Sequence, residues 1–257
     1  MTSPLPPAEA PALTEDAFFL LRDLIEAHFG LRYETDTAYL LERRLQPRLA
    51  TLQLRSFLDY YDYLKNPALP EIDRVRELED IYERLATRET YFFRESYQLD
   101  VLREILFPQL HSEQPRGKRL ALWSAGCATG EEVYSLAIQV LESGLFDGWQ
   151  VQIIGTDLST AMVESARRGL YPMDRARMVP PAYLKRFCLK GHGEHEGKLL
   201  VAREIRQRVR FQSANLMQPL PQLPMFDVIF LRNVLIYFDN DAKCQIVRRV
   251  LTQLKPD

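Results

Sequence analysis

The apolar pattern of this chain changes period near Lys118, and that change limits the folds open to it more than any single motif. Before it, from Thr14 to about Leu110, apolar residues recur at helical spacing, as in Phe18, Leu21, Leu24, Ile25 and Phe29 and again in Leu40, Leu41, Leu45, Leu49 and Leu52. After it, short apolar runs alternate with amphipathic stretches. RLALWSAG leads into GEEVYSLAIQVLESG, VQIIGTD into STAMVESARRG, and FDVIFLRN into DNDAKCQIVRRVLTQLKP, with VRFQSANL between the last two pairs. Strands that feed helices in this way build a mostly parallel sheet covered on both faces, because parallel neighbours need a crossover connection. The expected class is α/β, with an all-helical N-terminal domain ahead of the sheet.

Local signals divide the chain further. Pro4, Pro6, Pro7 and Pro11 predict a disordered arm over residues 1–13. A helical domain with a linker helix is expected over 14–114 and the sheet domain over 115–257, the boundary falling near Pro115 in HSEQPRGK. Thr14 with Glu15 and Asp16 reads as a capped helix start, Gly30 as its end, and Asp36 and Thr37 as the next start. Pro67 and Pro70 predict a break before a helix at Glu71. Over 171–208 the alternation loosens, predicting an insertion with two short strands around GHGEHEG. Its His192, Glu194 and His195 are too closely and flexibly spaced for a metal site and read as an exposed turn.

Composition excludes several function classes. Thirty-three basic against 35 acidic residues give a net charge of −2, so the chain as a whole has no electrostatic reason to grip nucleic acid or an anionic membrane. No apolar run approaches the roughly 20 residues that cross a bilayer, and the N-terminus lacks a secretory pattern. Three cysteines without a C-x-x-C pair suit a reducing cytoplasm and no structural zinc.

Polar residues cluster where the predicted strands end. In SAGCATGEE, Gly126 and Gly130 allow close backbone approach to a ligand, or merely a turn with positive φ; the following helix offers unpaired N–H groups. The full G-x-G-x-x-G spacing is missing, which argues against a nicotinamide site. Asp157 ends VQIIGTD one βα unit later, where a carboxylate can take both ribose hydroxyls or cap the helix opening at Ser159. Asn215, Arg232 and Asn233 follow two further strand ends, with turn formation and helix capping as the alternatives for the two asparagines. Tyr237 either reaches the same rim or packs. Arg43, Arg44, Arg48 and Arg55 lie on one helix with Glu42 alone as counter-charge, either a recognition face or a solvated one.

Taken together, RETYFFRES (Arg88 to Ser96), SAGCATGEEVYSLA, GTDLS, SARRGLY, FQSANL and FDVIFLRNVLIYFD resemble the chemotaxis receptor methyltransferases, the CheR-like enzymes, from about Phe18 to Pro256. The resemblance implies a Rossmann-like S-adenosylmethionine methyltransferase sheet with a small inserted β-subdomain. It implies methyl transfer from S-adenosyl-L-methionine to glutamate side chains of chemoreceptors, giving methyl esters for chemosensory adaptation and S-adenosyl-L-homocysteine as product. It places Thr90 and Arg94 at the methionine end and the arriving substrate, Glu131 at the methionine amino group or adjacent ribose, and Asp157 on the ribose hydroxyls. Gly126 belongs to the cofactor loop, Asn215 and Leu216 to the adenine edge, and Arg232, Asn233 and Tyr237 to the sulfonium side and acceptor pocket. Arg94 and Tyr237 are the residues it puts nearest the reaction. Arg43, Arg44 and Arg48 would touch the cytoplasmic helical domain of the receptor. The implied protein is cytoplasmic and monomeric, binds no nucleic acid and does not insert into a membrane.

The sequence departs from the family in two places. Arg88 stands where many relatives carry a small polar residue, so it is left out of the site. LTQLKPD stops where relatives continue into a Gly-rich stretch and further strands, so the closing strands are expected to be missing. The remaining strands would be ordered 3-2-1-4 with FDVIFLR as an open apolar edge. Two rivals remain: another S-adenosylmethionine methyltransferase, disfavoured for base amines by LRNVLIYF in place of an Asn-Pro-Pro-aromatic loop, and a cofactor-binding regulatory module without turnover.

Overall fold

The structure, a computed structural model, describes residues 10–85, 89–113 and 118–256. Most of the expected arm, Arg88 and the boundary expected at Pro115 lie outside them. Contacts divide the chain into two units, Met1–Thr87 with Tyr237–Asp239 and Arg88–Ile236 with Asn240–Asp257.

The first unit is built from α1 (Glu15–Phe29), α2 (Ala38–Leu52), α3 (Phe57–Lys65) and α4 (Glu71–Leu85). The Thr14 side chain caps α1 by accepting from the Ala17 N–H, and Gly30 closes it in the left-handed conformation with φ 69°. Helix α2 runs through Pro47, because Leu41, Leu45 and Leu49, spaced at i, i+4, are fully buried and hold both halves to one core. Its basic face is less free than its composition suggests. Arg48 donates to both carboxylate oxygens of Glu77, through Nε at 2.8 Å, and stands 3.4 Å from Asp80. Glu77 is buried on α4 and also accepts from the Tyr60 hydroxyl at 2.6 Å. Arg44 donates to the Leu85 carbonyl at the end of α4, which also accepts from Tyr33. Arg43 is exposed.

In the second unit, α5 (Ser96–Val101), a π-helical stretch (Leu102–Leu106) and α6 (Phe107–Glu113) precede β1 (Arg119–Ala125). Their Leu99, Leu102 and Phe107 are buried in one cluster with Leu120 and Leu122 of β1. These helices therefore pack with the sheet. The elements α7 (Glu131–Ser143), β2 (Gln150–Asp157), α8 (Thr160–Arg168), β6 (Val209–Ser213), β7 (Val228–Phe230) and α11 (Asn240–Leu251) complete the parallel sheet and its helices. The strand order is β6-β2-β1-β7, which is the expected 3-2-1-4. Every residue of β1 except Arg119 is buried, as a central parallel strand covered on both faces requires.

Between α8 and β6 lie β3 (Leu170–Pro172), α9 (Pro181–Phe187), β4 (Cys188–Lys190), β5 (Lys198–Val201) and α10 (Arg203–Arg206). The two strands expected around GHGEHEG are β4 and β5. A third, β3, joins them in an antiparallel sheet of order β3-β5-β4; three residues are too few to show a period in sequence. The edge at β7 is partly covered. Leu254 forms one parallel bridge with Phe226, and Lys255 pairs with the buried Asp227 at 2.7 Å, beside a groove lined by Leu110, Val228, Leu231, Val247 and Leu251.

The Glu77 cluster gives a direct stability test. Arg48→Ala strands a buried carboxylate and is expected to cost about 2–3 kcal/mol in urea unfolding, while Arg43→Ala should stay within about 0.5 kcal/mol. Equal effects would show that Arg48 is as solvated as Arg43.

Candidate active site

Parallel strands deliver their C-terminal ends to one edge of the sheet, and the residues singled out in the second unit gather there. β1 passes into Gly126, whose φ of 78° and N–H donation to the Thr156 carbonyl turn the chain across the end of β2. A Cβ at Gly126 would stand 2.3 Å from Val234 Cγ2, so the turn needs glycine for close approach as well as for conformation. Gly130, at φ 92°, opens α7 with its N-terminal N–H groups facing this edge.

Asp157 at the end of β2 is 7% exposed. One carboxylate oxygen accepts from the Ala128 N–H at 2.8 Å and the other from the Ser159 N–H at 3.0 Å. Ser159 itself caps α8, accepting from the Met162 N–H, so Asp157 is not the helix cap; it fastens the glycine loop to β2. Asn215 beyond β6 forms the turn that was its alternative reading, its side-chain oxygen accepting from the Met217 N–H at 2.8 Å. Leu216 beside it is buried.

Glu131 begins α7 fully inside the protein. Its Oε2 accepts from the Thr129 hydroxyl at 2.6 Å, while Oε1 is buried without a hydrogen-bond donor, the nearest cation being Arg175 at 3.9 Å. Burial raises its carboxyl above the ordinary range, against the Thr129 hydrogen bond and Arg175. A buried acceptor without a donor, at a glycine turn on a helix N-terminus, is suited to a ligand that brings N–H or O–H groups.

The segment from Glu89 to Ser96 is held against the same edge by ion pairs. Arg232, 9% exposed, donates to the Arg94 carbonyl at 2.6 Å and lies 3.4 Å from Glu95 and 3.2 Å from Glu132. Ser124 at the end of β1 donates to the other oxygen of Glu132 at 2.8 Å, and Asn233 Nδ2 donates to Glu95 at 3.2 Å. Burial raises the Glu132 carboxyl, with Arg232 opposing the rise. Phe93, Glu95 and Asn233 all adopt positive φ, a concentration of backbone strain at this edge. Arg94 is half-buried, donates to the Glu89 carbonyl and lies over the Tyr91 ring, 5.8 Å from its centroid. Glu95 pairs with Arg232, and none of the ion pairs among the described residues joins it to the adjacent Arg94.

Three contributors escaped the sequence reading. Glu132 sat unremarked beside Glu131 in GEE, and only the fold brings Arg232 to it. Tyr171 and Arg175 come from the insertion: Tyr171 donates to the Thr129 carbonyl, and Arg175 donates to the Thr90 carbonyl while its own carbonyl accepts from the Phe92 N–H. Tyr237 lies in a short 3-10 turn, Leu235–Tyr237. Among the described residues no cluster of metal-ligating side chains is present.

Asp157→Asn places an amide N–H₂ against one of two backbone donors, and the resemblance implies that it also weakens recognition of the ribose hydroxyls. Calorimetry with S-adenosylhomocysteine should show a loss of about 1.5–3 kcal/mol in binding, and unchanged affinity would leave Asp157 only its loop-fastening role.

Known proteins match along nearly the whole chain. The model of the CheR methyltransferase all-alpha domain matches residues 16–85, and that of the CheR methyltransferase SAM binding domain matches 88–257. Chemotaxis protein methyltransferase 2 of Pseudomonas aeruginosa is 34% identical over 247 residues, covering 95% of this chain and 84% of its own. The chemotaxis protein methyltransferase of Salmonella typhimurium is 33% identical over 249 residues, covering 96% and 82%. Among solved structures, the magnesium protoporphyrin IX methyltransferase of Synechocystis with bound SAM covers 95% of this chain and 74% of its own, at 14% identity and a TM-score of 0.33, too loose a likeness to carry an argument. With both of its domain models matched in order, and relatives above 30% identity over most of their length, the chain belongs to the CheR methyltransferase family.

Proposed function

We propose that this methyltransferase transfers a methyl group from S-adenosylmethionine to glutamate side chains on the cytoplasmic helical domain of chemoreceptors, giving methyl esters, and that it works as a cytoplasmic monomer. The observation that carries the reading is the buried, donorless Oε1 of Glu131 beside the Gly126–Gly130 loop, joined on the same edge by Asp157. These residues fit the cofactor: the α-ammonium or a ribose hydroxyl supplies the donor that Glu131 lacks, and Asp157 takes ribose hydroxyls. Asn215 and Leu216 border the adenine, Gly126 gives the backbone approach, and Thr90, Arg232 and Asn233 shape the methionine and sulfonium side. Bound S-adenosylmethionine supplies an electrophilic methyl on sulfur.

The protein's task is then positioning. A glutamate acceptor is already ionised near neutral pH, so no general base is needed, and the rate depends on aligning its carboxylate with the methyl. Arg94 serves this purpose. None of the ion pairs among the described residues occupies its guanidinium, and its hydrogen bond to Glu89 and contact with Tyr91 fix the fork while leaving N–H groups for an arriving carboxylate. Tyr237 is the second residue assigned to the acceptor pocket. The receptor-facing assignment on α2 rests chiefly on the exposed Arg43, with Arg44 and Arg48 stiffening the helix through Leu85 and Glu77. No helix among the described residues is long and apolar enough to cross a membrane.

The test is transfer of labelled methyl to a purified cytoplasmic chemoreceptor fragment, with the product released as methanol by base. Arg94→Ala should lower kcat about tenfold or more while changing S-adenosylhomocysteine affinity far less, and Lys should rescue poorly because it lacks the planar fork. Equal turnover in the Ala variant removes Arg94 from the acceptor site; base-stable product removes the ester.

A further inference from the structure

A second guanidinium lies against the ring that carries Arg94. Arg177, on the turn after β3 in the insertion, lies 4.9 Å from the centroid of Tyr91, the ring that also carries Arg94 at 5.8 Å. Both cations therefore share one aromatic support, half-buried, in the segment that Arg232 and Arg175 bind to the sheet edge. Among the described residues neither forms an ion pair, although their neighbours Arg175 and Arg232 do. Stacking on an aromatic face holds a guanidinium by its plane and leaves the N–H edges free to donate.

We propose that Arg177 is a specificity residue that binds a second carboxylate of the acceptor protein, one helical turn from the glutamate held by Arg94. Carboxylates at i and i+3 or i+4 on a helix project from Cβ atoms about 5–6 Å apart, a spacing that two cations on one ring can meet together. A single acidic residue meets only one fork. An acidic pair meets both, so the site selects acceptor glutamates that have an acidic neighbour on the same helix face. The preference acts in binding and not at the reacting carbon, because Arg177 lies on the Tyr91 ring and takes no part in the ion-pair cluster at the strand ends. This assignment rests on the proposed receptor substrate and names what that substrate must carry.

The experiment compares the parent chain with Arg177→Ala and Arg177→Lys on a chemoreceptor cytoplasmic fragment, and on the same fragment with the acid one turn from the acceptor changed to Gln. On the unaltered fragment, Arg177→Ala should raise KM about five- to tenfold with kcat within about twofold, and Lys should restore part of the loss. On the altered fragment the parent should lose the same factor, and parent and Ala variant should become equal. Arg177 is exposed, so folding is retained; S-adenosylhomocysteine affinity and melting temperature should stay at parent values. An unchanged KM in Arg177→Ala, or a difference that persists on the altered fragment, overturns the assignment while leaving the substrate reading intact. Failure of the parent chain to methylate any receptor fragment overturns both.

Discussion

Arg232 is the interaction on which the arrangement of the site depends. Its guanidinium is almost wholly enclosed and meets three groups on two segments far from it in sequence: the Arg94 carbonyl and Glu95 ahead of α5, and Glu132 on α7. Glu132 is itself fixed by Ser124 at the end of β1. Two carboxylates brought this close would repel each other without the cation, and a cation this enclosed would be strongly disfavoured without them. Each member is therefore stable only in the presence of the others, and the strained backbone at Phe93, Glu95 and Asn233 is held by the cluster as a whole.

From that cluster the rest follows in layers. The parallel strands bring Ser124, Asp157, Asn215 and Arg232 to one edge, because every strand of the sheet ends on the same side. Asp157 and the Thr156 carbonyl pin the glycine loop, and the ion cluster pins the Glu89–Ser96 segment. Tyr171 and Arg175 add a third wall from the insertion. A cofactor would then bind a largely preformed cradle, and an acceptor carboxylate would meet cations whose own supports are already fixed. For a reaction limited by alignment and not by proton transfer, rigidity of this kind is the main contribution a protein can make.

How much of this the sequence discloses depends on range. Period and capping are local, so the switch at Lys118, the Thr14 and Gly30 ends of α1 and the start at Glu71 could all be read from short windows, whereas the strand order came from the resemblance. Motifs at strand ends likewise pointed to Gly126, Asp157 and Arg232, since a strand followed by a helix fixes where its last residue goes. Side-chain partnerships are not local. Charge count on α2 could not show that Arg48 is committed to Glu77 or Arg44 to Leu85, because both partners lie on another helix. Helical spacing could not show which core Leu99, Leu102 and Phe107 join. Glu132 and Arg175 were invisible for the same reason: each gains its role from a residue that only the folded chain brings near. Resemblance supplied assignments that spacing alone left open between a turn and a ligand.

The most direct test of the cluster is a double-mutant cycle on Arg232→Gln and Glu95→Gln, read by S-adenosylhomocysteine calorimetry and by melting on the same preparations. If Arg232 fixes the edge through Glu95, the two losses should overlap, with a coupling energy above about 1 kcal/mol. Additivity within about 0.5 kcal/mol in both readouts would show that the two residues act separately, and would contradict a site organised around Arg232.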